Sequence, residues 1–203
     1  MKAAVLRESG GPLQLEDVEL DEPQSTEVCV RIEAAGVCHS DLHYLKGDLL
    51  AKRPIVLGHE GAGVVEAIGS AVVDVSVGDR VALLWRPRCG ECDACVAGNP
   101  VLCRFGRVMA GTNGLMDGTT RLHRAGERIH HLMGVSCFAE RVVVSSSSVV
   151  RVPAGVPSEI AAISACAVIT GVGAMLNAVH GSAGNPFATM ARCSATSVSI
   201  ASA

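Results

Sequence analysis

Aromatic side chains are nearly missing from this chain: its 203 residues hold three Phe, one Tyr and one Trp. Any core must therefore be aliphatic, and 49% apolar residues are enough to build one. Strong charge is missing too. A net charge of −3 gives no electrostatic footing for nucleic acid or for an anionic membrane. The amino end, MKAAVLRESGG, has an apolar stretch of only four residues before Arg7, too short for a secretory signal. With no signal and an odd count of nine cysteines, a disulfide framework is not expected, and the chain reads as cytoplasmic. No G-x-G-x-x-G occurs. Gly61-x-Gly63 is followed by Glu66, and Gly171-x-Gly173 by Leu176, where a third glycine is required. The sequence thus lacks the glycine-rich turn that seats a dinucleotide.

What is present is mainly β. Val28, Val30 and Ile32 alternate with other residues at the strand period. Similar runs fall at 3–6, 63–68, 80–84, 141–144 and 149–152, with glycines between them. Many short strands with glycine turns predict a barrel-like β domain with helices. Pro157, Ser158 and Glu159 form a helix-start signal. Residues 160–179 then run without a charge. That is long enough to span a bilayer, but the run is rich in Ala and Gly and has no basic or aromatic flank. It is expected to be a buried small-residue helix, with no membrane partner. After His180 neither period persists.

The densest chemistry lies in RCGECDACVAGNPVLCRF. Cys89, Cys92, Cys95 and Cys103 follow the spacing C-x2-C-x2-C-x7-C. Four thiolates close a tetrahedral zinc site with no open position, and a short loop poor in apolar residues takes its shape from such a metal. A nucleic-acid zinc ribbon would need denser basic residues than Arg86, Arg88, Arg104 and Arg107. Three weaker motifs stand elsewhere: GVCHSDLH with Cys38, GHEGAG with His59 and CAVITG with Cys166. Taken singly, a cysteine in an apolar run is more often a small core residue, and a histidine after glycine a turn residue.

Together with MDGTTRLH and GERIHHLMGVSCFAE, these motifs resemble the zinc-dependent alcohol dehydrogenases of the medium-chain dehydrogenase family over residues 1–179. The resemblance implies a GroES-like barrel domain over 1–155 that carries the structural zinc loop. It implies next the start of a truncated α/β portion, with a helix over 156–180 leading toward a missing Rossmann domain. Residues 181–203 resemble nothing in the family and read as a disordered or aberrant tail. Two Zn(2+) are implied, along with NAD or NADP whose binding domain is absent from the sequence. Cys38, His59 and Cys166 match the ligands of the catalytic zinc, and Glu60 matches the carboxylate beside it. Asp41 matches the partner that orients His59. Ser40 and His43 match a proton relay, His39 and Thr170 match cofactor contacts, and Trp85 matches a substrate-pocket wall. For Glu60, Asp41, His43 and Trp85 the plainer roles of turn, cap, surface or core residue stay open. His130 and His131 match a structural pair.

The activity implied is oxidoreduction of a small alcohol or aldehyde, with hydride passing between a zinc-held alcohol and NAD(P). Without the dinucleotide turn, this chain alone is expected to turn over negligibly, unless a homo-oligomer or a partner supplies the missing domain. A non-catalytic zinc-binding remnant or interaction module is the alternative.

Overall fold

The computed structural model describes residues 1–178 and the backbone of a short strand at Thr196–Val198. The expectation for the tail over 181–203 lies outside the described residues, that strand apart.

Two curled sheets form a half-barrel. The first holds β1 (Lys2–Leu6), β2 (Leu13–Asp17), β3 (Glu19–Leu20), β5 (Ile55–Val56), β8 (Leu122–Arg124) and β9 (Glu127–His131), in the order β2-β1-β5-β9-β8-β3. The second runs β10 (Arg141–Ser145), β4 (Glu27–Val37), β6 (Glu60–Ile68), β7 (Arg80–Leu83) and β11 (Val149–Arg151). β12 (Thr196–Val198) pairs with Ala35 to Val37 of β4. β4 is the longest strand, at 11 residues, and its register with β6 shifts at Cys29/Val30 and again at Ile32/Ala34. Such irregularities bend a strand and increase its twist, which curls the sheet around the core. The core between the sheets is aliphatic, as composition requires. Val5, Leu6, Ile55, Leu83 and Ile129 are fully buried, and Phe138 is the one buried aromatic among the described residues.

The helices decorate this scaffold. α1 (His39–Lys46) follows β4 directly. α2 (Asp93–Val96) and α3 (Arg104–Thr112) belong to the cysteine lobe. α4 (Ser158–Ile163) runs through a π-helical turn at Ser164–Val168 into α5 (Ile169–Ala178). Ser158–Leu176 has the length and the mean hydropathy, 1.8, of a membrane span, but core helices meet the same test. The expected burial holds on one face only. Ala161 and Ala162 pack on Ala34 of β4 and Ala62 of β6, while Ile160, Ile169, Val172 and Leu176 are exposed. The seat of this helix is thus made of methyl groups, each adding roughly 0.8 kcal/mol when buried.

Candidate metal centres

Two groups of side chains converge. In the first, Cys92 precedes α2 and Cys103 precedes α3, so two helix starts bring their thiols inward. The Sγ atoms of Cys89 and Cys95 lie 4.0 Å apart, those of Cys92 and Cys103 4.0 Å, and those of Cys103 and Cys89 3.7 Å. Zinc–sulfur bonds of about 2.3 Å in a tetrahedron put sulfurs about 3.8 Å apart, whereas a disulfide needs about 2.05 Å. The four thiols therefore outline a metal tetrahedron. Backbone amides of Arg104 and Cys95 pull the Cys92 thiol below its usual range, which favours the thiolate that a metal needs. Little else shapes this lobe: Val96, Val101 and Leu102 face solvent.

The second group is assembled from distant segments. Cys38 is the N-cap of α1, His59 sits just before β6, Glu60 begins it, and Cys166 lies in the π-helical turn. One donor atom from each lies within 4.8 Å of all the others. Cys166 Sγ stands 3.6 Å from His59 Nε2, although the two residues are 107 apart in sequence. Zinc–sulfur and zinc–nitrogen bonds of about 2.3 and 2.05 Å at a tetrahedral angle give about the same separation. The π-helical turn, an insertion frequent at functional sites, carries this thiol.

Asp41 organises the pocket from α1. Its Oδ2 accepts the Cys38 amide at 3.0 Å, and its Oδ1 accepts the Gly58 amide at 3.0 Å. The same Oδ1 faces His59 Nδ1 at 3.3 Å. Asp41 is thus both a helix cap and the partner of the histidine, and it leaves Nε2 to the thiols. Burial lowers the His59 imidazolium, but Asp41 and Cys166 outweigh it and raise it to about 11. A site that draws a proton so strongly onto a buried imidazole is one where a cation is favoured. Glu60 is wholly buried, and neither carboxylate oxygen has a hydrogen-bond partner. Burial pushes its carboxyl upward. Two buried carboxylate oxygens without partners, facing two thiols and an imidazole, fit a metal ion.

Two glycines make room for this arrangement. Gly58 has φ +89°, and a Cβ there would meet the Phe138 ring at 2.5 Å. A Cβ on Gly36 would lie 2.3 Å from Glu60 Oε2. Gly36→Ala is expected to cost about 1–3 kcal/mol of stability, as overpacking does. It should also weaken metal retention at this group while sparing the four-cysteine lobe. Denaturant titration and metal analysis after dialysis check both effects. A cost below about 0.5 kcal/mol would mean that Glu60 yields freely, which the wholly buried position of its carboxylate argues against.

This chain matches the family described as alcohol dehydrogenase GroES-like domain over residues 24–154. It belongs to that family. The chain is 43% identical over 185 residues to an S-(hydroxymethyl)glutathione dehydrogenase of Komagataella pastoris, covering 91% of this chain and 49% of that protein. It is 43% identical over 170 residues to an NDMA-dependent alcohol dehydrogenase of Amycolatopsis methanolica, covering 84% and 46%. Among solved structures, an alcohol dehydrogenase zinc-binding domain protein from Burkholderia ambifaria superimposes with a TM-score of 0.80 at 38% identity, covering 87% of this chain and 48% of its own. Benzyl alcohol dehydrogenase from Acinetobacter calcoaceticus gives 0.77 at 35%, covering 88% and 48%. The chain thus spans about half the length of the curated relatives it matches.

The other residues singled out in the sequence surround the second group unevenly. Ser40 Oγ lies 3.8 Å from Cys38 Sγ. His43 Nδ1 is 2.9 Å from Asp48 Oδ2 near the surface, and its ring is edge-on to His39 at 4.8 Å. No hydrogen bond joins Ser40 to His43 among the described residues. Trp85 stands edge-on to His59 with ring centroids 6.4 Å apart, and the Arg86 guanidinium lies over the Trp85 ring at 5.0 Å. His39 and Thr170 are exposed. His131 is buried away from both groups, its Nε2 accepting the Arg121 amide at 3.3 Å, and burial pushes it down to about 3. No local pattern pointed to Asp48 as the partner of His43, or to Gly36 as the residue that makes space for Glu60.

Proposed function

We propose that this domain binds two zinc ions and forms the metal-bearing half of an oxidoreductase acting on small alcohols or aldehydes with NAD or NADP. Residues 1–155 are read as the catalytic domain and the helix from 156 to 180 as its exit. Cys89, Cys92, Cys95 and Cys103 close the structural site. Cys38, His59 and Cys166 hold the catalytic one, with Glu60 beside it. The observation that carries this reading is the meeting of four donors from three separate segments, one of them a buried carboxylate with no hydrogen bond.

Zinc seated there would supply Lewis acidity to an alcohol hydroxyl or an aldehyde carbonyl. The chain's own residues do the rest. Asp41 fixes the tautomer and direction of His59. Trp85 walls the substrate beside the metal ligands. NAD or NADP would supply the acceptor for the hydride in alcohol oxidation, and Ser40 is read as the group that takes up the hydroxyl proton. His43, paired with Asp48, delivers that proton at the surface. Since Ser40 and His43 share no hydrogen bond, the path between them crosses solvent. His39 and Thr170, both exposed, are read as contacts on the cofactor's edge. The seat of its diphosphate is placed outside residues 1–178, where no glycine-rich turn occurs. A cytoplasmic location is part of this reading.

Metal analysis of dialysed protein should give two zinc ions per chain, and one for Cys166→Ser. One zinc in the parent would leave only the four-cysteine site standing.

A further inference from the structure

The structure assigns Ser158 a role in positioning Cys166. It is the middle of a polar clasp that fixes α4 over the sheet. Arg80 Nη2, at the start of β7, donates to the Ser158 hydroxyl at 3.1 Å and to the Val156 carbonyl at 2.7 Å. The same hydroxyl donates to Glu33 Oε2 of β4 at 2.7 Å. Glu33 Oε1 in turn accepts from Arg31 Nη2 at 3.3 Å. Ser158 therefore accepts from one strand and donates to another, two jobs that only a hydroxyl does in so small a side chain.

The clasp matters because the helix has little else to fix its register. Its seat is Ala34, Ala62, Ala161 and Ala162 with Ala82, Val152 and Val156 at the margin, small side chains that interlock weakly, and its outer face is exposed. Ser158 stands at the first residue of α4, and Cys166 lies about two turns further on, in the π-helical turn. A rotation or slide of the helix start is passed by this rigid element to the thiol. Cys38 and His59 hang on the barrel itself and would not follow. Ser158, Arg80 and Glu33 are thus positioning residues for one ligand of the three, and none of them touches the site.

This inference rests on the reading that Cys38, His59 and Cys166 hold a metal. Cadmium-113 NMR of the full chain loaded with cadmium tests both, because the shift depends on the number of thiolates. The parent should give two signals, one from four sulfurs and one from two sulfurs and a nitrogen. In Ser158→Ala the four-sulfur signal should stay, which certifies the fold. The second should move upfield or vanish, and a chelator should remove that cadmium about tenfold more readily, the lower end of what loss of a ligand's support costs. Ser158→Thr, which keeps the hydroxyl, should restore the parent spectrum, and Arg80→Gln should behave as Ser158→Ala. A parent with the four-sulfur signal alone overturns the metal reading and the clasp together. Two normal signals and unchanged chelator resistance in Ser158→Ala overturn the clasp alone.

Discussion

Arg121→Met is expected to cost this domain about 3–5 kcal/mol of folding stability, the usual result of breaking a buried ion pair from one side. For a chain of this size that lowers the melting midpoint by roughly 6–20 °C. The Arg121 side chain is 4% exposed and that of its partner Glu27 is 9% exposed. The guanidinium meets Glu27 in a two-pronged contact, Nη2 to Oε1 at 2.7 Å and Nε to Oε2 at 3.0 Å. Nη2 also reaches Asp117 Oδ2 at 2.8 Å. Burial works against the charge on Arg121, but Glu27 and Asp117 outweigh it and hold the guanidinium protonated. With methionine in its place, Glu27 keeps only the Gln24 amide, at 2.9 Å. The double variant Arg121→Met/Glu27→Met should recover most of the loss, because no stranded charge remains. Denaturant melts of the parent, both singles and the double decide the matter. If Arg121→Met costs less than about 1 kcal/mol, water reaches Glu27 and the pair is not a buried one.

Cys103→Ser should have the second large effect, and a local one. Structural zinc sites couple an apparent binding free energy of about 10–16 kcal/mol to folding in zinc-finger peptides. Here the loop between Cys89 and Cys103 has no apolar core to fall back on, with Val96, Val101 and Leu102 all exposed. Cys103 also joins the 3-10 turn Pro100–Leu102 to α3, so its loss frees both. The expected outcome is one metal fewer, rapid proteolysis between residues 89 and 103, and lost amide protection in α3. The barrel core should stay protected, since its buried aliphatics come from other strands. Equal protease resistance in parent and variant would sink the structural assignment.

These two sites differed in how far the sequence revealed them. The four cysteines lie within fifteen residues, so spacing alone announced a metal. Cys38, His59 and Cys166 carry no such local signal, and it took the resemblance to a family to group them. The Arg121–Glu27 pair, 94 residues apart, was invisible for the same reason. Strands were legible where burial alternates, as in β7, where Val81 and Leu83 are buried and Arg80 and Ala82 are not, and not where the pattern is blurred. β2 is exposed at four of its five residues. The β8–β9 hairpin turns through Ala125 and Gly126, at φ 49° and 82°. Alanine is a poor sign of such a turn, which favours Asn or Asp at its first position. α1 was missed because Cys38 is not among the usual N-cap residues, although Asp41 completes its capping box.

The four-alanine seam under α4 limits which positions tolerate change. Adding a methyl group to a packed core typically costs about 1–3 kcal/mol. At Ala34, Ala62, Ala161 and Ala162 the buried side chains between helix and sheet are single methyl groups. A larger side chain there would act as a wedge under the helix that leads to Cys166. Among variants of this domain, modest enlargements at these plain positions would be filtered more severely than exchanges among the large aliphatics of the barrel. The purge would be for loss of the metal pocket rather than for loss of the fold.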